Sequence, residues 1–98
     1  MTEGQSAETL KAAVVGIINS SLRIPQSRIL ESSRLFRDLN AESIDLLDIK
    51  YELERSFAVE ISDTEIRDSL GMNLTQAEVY EKLTVRSIID FIERKTGA

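Results

Sequence analysis

The hydroxyl of Ser43 is the group in this sequence best placed to take part in chemistry. It follows a turn at residues 39–42 and opens a strongly patterned helix, with Glu42 before it and Asp45 two residues after it. The chain contains neither histidine nor cysteine, so the usual groups that would activate this hydroxyl as a nucleophile are missing. We therefore expect another protein to modify Ser43, unless the serine only caps the helix.

A phosphodiester is the modification that the position of Ser43 favours. The first turn of a helix presents free backbone N–H groups and the positive end of the helix dipole, and both stabilise a phosphate. The absence of histidine and cysteine also excludes the common zinc sites and catalytic triads. We accordingly expect a protein that is not an enzyme and holds no metal.

The helix predicted over residues 43–57 has two apolar stripes, although a surface helix needs only one to face its own core. At about 100° per residue, the first stripe consists of Leu46, Ile49, Leu53 and Phe57. The second stripe consists of Ile44, Leu47 and Tyr51. Carboxylates border the second stripe at Asp45, Asp48 and Glu52. The second stripe is therefore either buried by another element or available to a partner.

The net charge of −5 is concentrated around this helix. Residues 42–68 have nine acidic and three basic side chains, whereas the remaining segments are close to neutral. Such a run is either a solvated face or a negative patch that attracts basic partners. In either case it argues against nucleic acid binding.

The elements around this helix predict an all-α fold. Apolar residues at helical spacing predict a first helix over residues 6–22, capped by Ser6, in which Gly16 permits close packing. Residues 23–40 predict a long loop with a helical turn near 26–30 and a left-handed turn at Asn40. The loop's apolar anchors are expected to be Ile24, Ile29, Leu30, Leu35, Phe36 and Leu39.

The second half of the chain predicts an extended connection at residues 57–61 and then three helix starts. Capping boxes at 62–65 and 75–78 begin short helices through Leu70 and about Lys82. Thr84 caps a final helix that ends before Gly97. We expect one domain over residues 1–98, with 1–5 disordered, and no membrane span or secretory signal. A monomer in the cytoplasm fits this composition.

The segment from Leu39 to Asp45, followed by an acidic helix that ends Leu53-Glu54-Arg55-Ser56-Phe57, resembles the acyl carrier protein family. The resemblance implies an acyl-carrier-like bundle of three longer helices plus one or two short ones. It also implies that Ser43 has a covalent 4′-phosphopantetheine, on which acyl groups travel as thioesters. The residues that it assigns to partner docking are Glu42, Ile44, Asp45, Leu47, Asp48, Tyr51 and Glu52.

The partners that the resemblance implies have basic docking patches. They are a phosphopantetheinyl transferase (holo-carrier synthase) and the acyl-loading, elongating and acyltransferase enzymes of fatty-acid or specialised lipid biosynthesis. Lys50 and Arg37 depart from the family in charge, so partner choice can differ. The link over residues 62–83 is also longer than usual and looks similar to that of carriers of very long acyl chains. Its apolar residues either enlarge an acyl cavity or only close the core; they are Met72, Leu74, Val79, Tyr80 and Leu83.

Three other interpretations come from the same residues. The cargo could be an aminoacyl or polyketide group, or the chain could be an unmodified helical adaptor that binds a partner through Ile44, Leu47 and Tyr51. A calcium-binding loop starting at Asp38 is disfavoured, because its sixth position is Ser43 instead of glycine and its twelfth is Ile49 instead of glutamate.

Overall fold

A computed structural model describes residues 7–62, 65 and 76–97, and four α-helices lie within these ranges. They are α1 (Ala7–Leu22), α2 (Ser43–Phe57), α3 (Gln76–Lys82) and α4 (Val85–Thr96), with a single 3₁₀ turn at Gln26–Arg28. The described residues contain no strand, only an isolated bridge between Arg34 and Thr84. The predicted all-α fold is confirmed, and no helix in the described ranges is long and apolar enough to cross a membrane.

The core forms where α1 contacts both α2 and α4. Every third or fourth residue of each helix is apolar and buried there, and full burial of one such side chain contributes about 1.5–3 kcal/mol. The buried side chains of these three helices are Leu10, Val14, Ile18, Ile49, Leu53, Val85, Ile88, Ile89, Phe91 and Ile92. The first stripe of α2 is thus used by the core, which leaves its second stripe outside.

The ends of α2 lie where the sequence predicts them, but the capping residue differs. Glu42, not Ser43, is the N-cap, so the prediction that Ser43 caps the helix is wrong. Glu42 has an extended backbone, and its N–H donates to the carboxylate of Asp45 at 2.8 Å. At the other end, Ala58 adopts a left-handed conformation with φ 54° and its N–H bonds to the carbonyl of Glu54.

The loop between α1 and α2 is held to the start of α4 by backbone hydrogen bonds. The N–H of Leu35 donates to the carbonyl of Leu83 at 2.9 Å, and that of Val85 donates to Ser33 at 3.0 Å. Ile29, Leu35 and Leu39 are buried as predicted, and Ile24 and Phe36 are partly buried. Leu30 is 60% exposed, so its predicted role as an anchor is wrong.

The later elements agree with prediction where the structure describes them. The Oγ1 of Thr84 accepts from the N–H of Ser87 at 3.1 Å, and Gly97 ends α4 in a left-handed conformation. After left-handed Ala58, residues 59–62 form neither helix nor strand, and the N–H of Ser62 donates to the carboxylate of Glu65 at 2.7 Å, as the first capping box requires. The remaining predictions lie outside the described residues, namely disorder at 1–5, the Ser6 cap, the helix body at 66–70, Gly71, Met72, Leu74, the Thr75 cap and the Tyr80 side chain.

Candidate functional site

Ser43 is the first residue of α2, and its side chain is exposed. The turn before it alternates between buried and exposed residues, with Leu39 and Ala41 in the core and Asn40 in solvent. Asn40 has φ 60°, the left-handed conformation expected there, and the N–H of Ala41 donates to the carbonyl of Leu35 at 3.0 Å. Two buried anchors therefore fix the turn and hold the hydroxyl of Ser43 on the surface.

Ion pairs fasten the loop that precedes Ser43. The carboxylate of Asp38 accepts from the guanidinium of Arg34 at 3.2 Å and from its backbone N–H at 2.7 Å. The hydrogen bond from the guanidinium, followed by that from the backbone, lowers the pKa of Asp38. Arg37 donates to the carboxylate of Glu81 in α3 at 2.7 Å. The charge of Arg37, one of the departures from the family, is therefore paired within the chain.

A second set of ion pairs meets at Glu31, further back in the loop. Its carboxylate accepts from Lys11 of α1 and, at 2.6 Å, from Arg86 of α4. The hydrogen bond from Lys11, followed by that from Arg86, lowers the pKa of the Glu31 carboxyl group. These two ion pairs join the loop to α1 and to α4.

The second apolar stripe of α2 is exposed. Of the two alternatives that the sequence left open, burial by another element is therefore the one that does not apply. Ile44 is 63% exposed, Leu47 47% and Tyr51 58%. We call these three residues the exposed apolar face. Contiguous exposed apolar residues mark binding surfaces more often than isolated ones do. The face begins one residue after Ser43, so a molecule bound there also lies near the hydroxyl.

The acidic border of this face divides into two kinds of residue. Asp45 is half-buried and its carboxylate is used in capping α2. Asp48 is exposed, and among the described residues Glu52 has one ion pair, a long one of 3.6 Å with the exposed Arg55. Lys50, the second departure in charge, has its ammonium nitrogen 5.6 Å from the centroid of the Tyr51 ring. Asp48 and Glu52 are therefore the carboxylates of this border that α2 does not use for capping.

A groove of about 670 Å³ lies between α1 and α2, beside the exposed apolar face. Sequence reasoning missed it, because Gly16 was expected to allow close packing. That expectation is wrong: a Cβ at Gly16 would have no heavy atom within 4 Å. The residues that line the groove are Ala13, Gly16, Ile17, Ser20 and Ser21 of α1 with Asp48, Tyr51 and Glu52 of α2.

Known proteins resemble this chain over the whole of the region just described. The sequence profile of the family described as the phosphopantetheine attachment site matches residues 12–69, which include Ser43 and all of α2. An acyl carrier protein of Thermotoga maritima is 31% identical over 93 residues, covering 94% of this chain and 98% of the relative. One from Thermosynechococcus vestitus is 30% identical over 99 residues and covers both chains completely. One from Helicobacter hepaticus is 31% identical over 87 residues, covering 88% and 91%.

Proposed function

Because the chain belongs to the acyl carrier protein family, and is therefore a carrier of acyl groups on covalent 4′-phosphopantetheine, we propose that the arm is attached to the Oγ of Ser43. The observation that carries this assignment is the exposed hydroxyl at the first position of α2, next to the exposed apolar face. Ser43 also lies within the matched residues 12–69.

The structure around Ser43 suits the phosphodiester that joins the arm to the protein. The first-turn N–H groups and the dipole of the 15-residue α2 stabilise a phosphate at this end of the helix. The terminal thiol of the arm supplies the thioester chemistry, which explains how a chain without cysteine can hold acyl groups. No histidine is present to deprotonate Ser43, so the transferase supplies the base and this chain acts as substrate and carrier, not as an enzyme.

A phosphopantetheinylation assay tests the attachment site. The purified chain is incubated with coenzyme A, Mg²⁺ and a phosphopantetheinyl transferase, and the product is followed by intact-protein mass spectrometry. We expect one added arm on the parent chain and none on Ser43→Ala. Ser56→Ala is the matched control, because Ser56 is another exposed serine of α2 and should leave the addition intact. An arm that still forms on Ser43→Ala, or none on the parent with several competent transferases, refutes the assignment.

We further propose that partner enzymes dock on the exposed apolar face and its acidic border. The partners are the transferase and the acyl-loading, elongating and acyltransferase enzymes, each with a basic patch. Complementary charge mainly raises association rates, so Asp48→Lys should slow modification with little effect on folding. Glu60→Lys is the control, since it reverses an exposed carboxylate beyond α2. Equal rates for both variants would argue against docking through Asp48.

The cargo that we propose is a fatty acyl chain, which has enough apolar surface to need shielding from water. Each buried CH₂ of such a chain is worth about 0.8 kcal/mol. Of the apolar residues in the long link, Val79 and Leu83 are buried in the main core, which supports a role in closing it. An aminoacyl or polyketide cargo would be distinguished by the mass of the loaded protein.

A further inference from the structure

The groove between α1 and α2 has the chemistry of a socket for a long cationic side chain. Its α1 side supplies apolar surface from Ala13, Ile17 and the backbone at Gly16, which suits an aliphatic stem. Its α2 side supplies two carboxylates, Asp48 and Glu52. No basic residue is among the residues that line it.

Two further features favour a cation in this groove. Ser20 and Ser21 lie in the last turn of α1, where the helix dipole is negative and which itself contains no basic residue; Arg23 follows directly after the helix. Their hydroxyl oxygens can accept hydrogen bonds from an incoming donor. On the α2 side, within the part of the chain that the structure describes, Glu52 has one weak ion pair, with exposed Arg55, and Asp48 has none.

We propose that this groove receives an arginine side chain of the phosphopantetheinyl transferase, an inference that rests on the proposed modification of Ser43. A guanidinium has five donors in a planar fork, so it can reach both carboxylates and a serine hydroxyl at once, which a lysine ammonium does less well. The proposed docking surface thus extends from α2 onto α1.

The position of the groove on the helix explains why the transferase is the partner. At a rise of 1.5 Å per residue, Asp48 and Glu52 lie about 8 and 14 Å along α2 from Ser43. A standard interface covers about 800 Å² on each partner, which corresponds to a disc about 16 Å in radius. The transferase must bring its own active site to the Ser43 hydroxyl, so its footprint includes the groove.

A substitution on α1 that fills the groove leaves α2 unchanged, so it tests this proposal independently of docking on α2. Gly16→Leu places a side chain in the groove without changing any charge, and leucine is a better helix former than glycine. Because nothing lies within 4 Å of the Cβ position, we expect the variant to fold at least as well as the parent. Ser56→Leu is the matched control, which adds an exposed leucine to α2 outside the groove.

Steady-state kinetics of the transferase with each carrier variant provide the readout. We expect Gly16→Leu to raise KM about tenfold, as for loss of one interface anchor, with kcat nearly unchanged. Ser56→Leu should behave like the parent. In an Asp48→Asn/Glu52→Gln background, Gly16→Leu should have a much smaller effect, because both changes remove the same contact.

The outcomes distinguish this proposal from the one on which it rests. Equal KM values for Gly16→Leu and Ser56→Leu, with both chains modified at Ser43, would overturn the groove and leave the attachment site standing. Fully additive effects in the combined variant would also overturn it. A parent chain that accepts no arm would overturn both proposals. Thermal unfolding of each variant, followed by circular dichroism, verifies that the comparison is between folded proteins.

Discussion

Two leucines on α2 allow the division between core and docking surface to be tested with the same substitution. Leu53 is completely buried, whereas Leu47 is 47% exposed on the exposed apolar face. Truncation of a buried leucine to alanine costs about 2–5 kcal/mol, including the cavity that it leaves. A fully buried leucine side chain is worth about 1.5–3 kcal/mol over an exposed one, so half-exposed Leu47 should cost about 1 kcal/mol or less on truncation.

The test has two parts, a measurement of stability and a measurement of transferase kinetics. Urea unfolding followed by the helical circular dichroism signal should show a large loss of stability for Leu53→Ala and a small one for Leu47→Ala. Transferase kinetics should show the opposite order when measured well below the unfolding transition. Leu47→Ala should lower kcat/KM about threefold to tenfold, as expected for truncation at an interface, while the folded fraction of Leu53→Ala should react nearly as the parent does.

Two results would refute the reasoning. Comparable destabilisation by both substitutions would mean that Leu47 belongs to the core and that α2 has no free apolar face. Normal kinetics for Leu47→Ala would mean that the transferase does not use the exposed apolar face, whatever its exposure.

Three further predictions concern stability. Ala58→Gly should raise the free energy of unfolding by about 0.5–1 kcal/mol in urea unfolding, because alanine at φ 54° pays a steric penalty that glycine does not; an unchanged or lower value would contradict the left-handed C-cap. Gly16→Ala should also stabilise the chain, by about 0.5–1 kcal/mol, because the new methyl group meets no neighbour and favours α1; destabilisation in the same assay would show that the space is filled. Glu31→Gln should reduce the loss of stability in acid: the folded pKa of Glu31 lies below its ordinary value of 4.5, so its stabilisation is present above that pH and disappears as the pH falls through the folded value. Parallel pH–stability curves for variant and parent would argue against that role.

The periodic parts of the fold could be predicted from the sequence, since the spacing of apolar residues reports directly on helices. Both ends of α2 and its two stripes follow from residues 43–57 alone. The N-cap could not be assigned so well, because Glu42 and Ser43 can both cap and the choice depends on how buried Ala41 sets the turn. The prediction that Leu30 is a buried anchor fails for a related reason. An irregular loop has no period that indicates which of its apolar residues are buried.

Features that depend on the distance between elements could not be predicted at all. The groove at Gly16 is an open space between α1 and α2, and neither helix alone contains that information. The pairs of Glu31 with Arg86 and of Arg37 with Glu81 join residues 55 and 44 positions apart. The one local signal at the groove was a glycine inside a helical pattern, which is equally consistent with close packing and with open space.

The mass of the protein isolated from its own cells tests the central claim most directly. Intact-protein mass spectrometry, followed by fragmentation to locate the added group, should show one 4′-phosphopantetheine on Ser43. The additional mass of any thioester would identify the cargo. An unmodified chain recovered under conditions that preserve the arm on other carriers, or an arm on a different residue, would contradict the account.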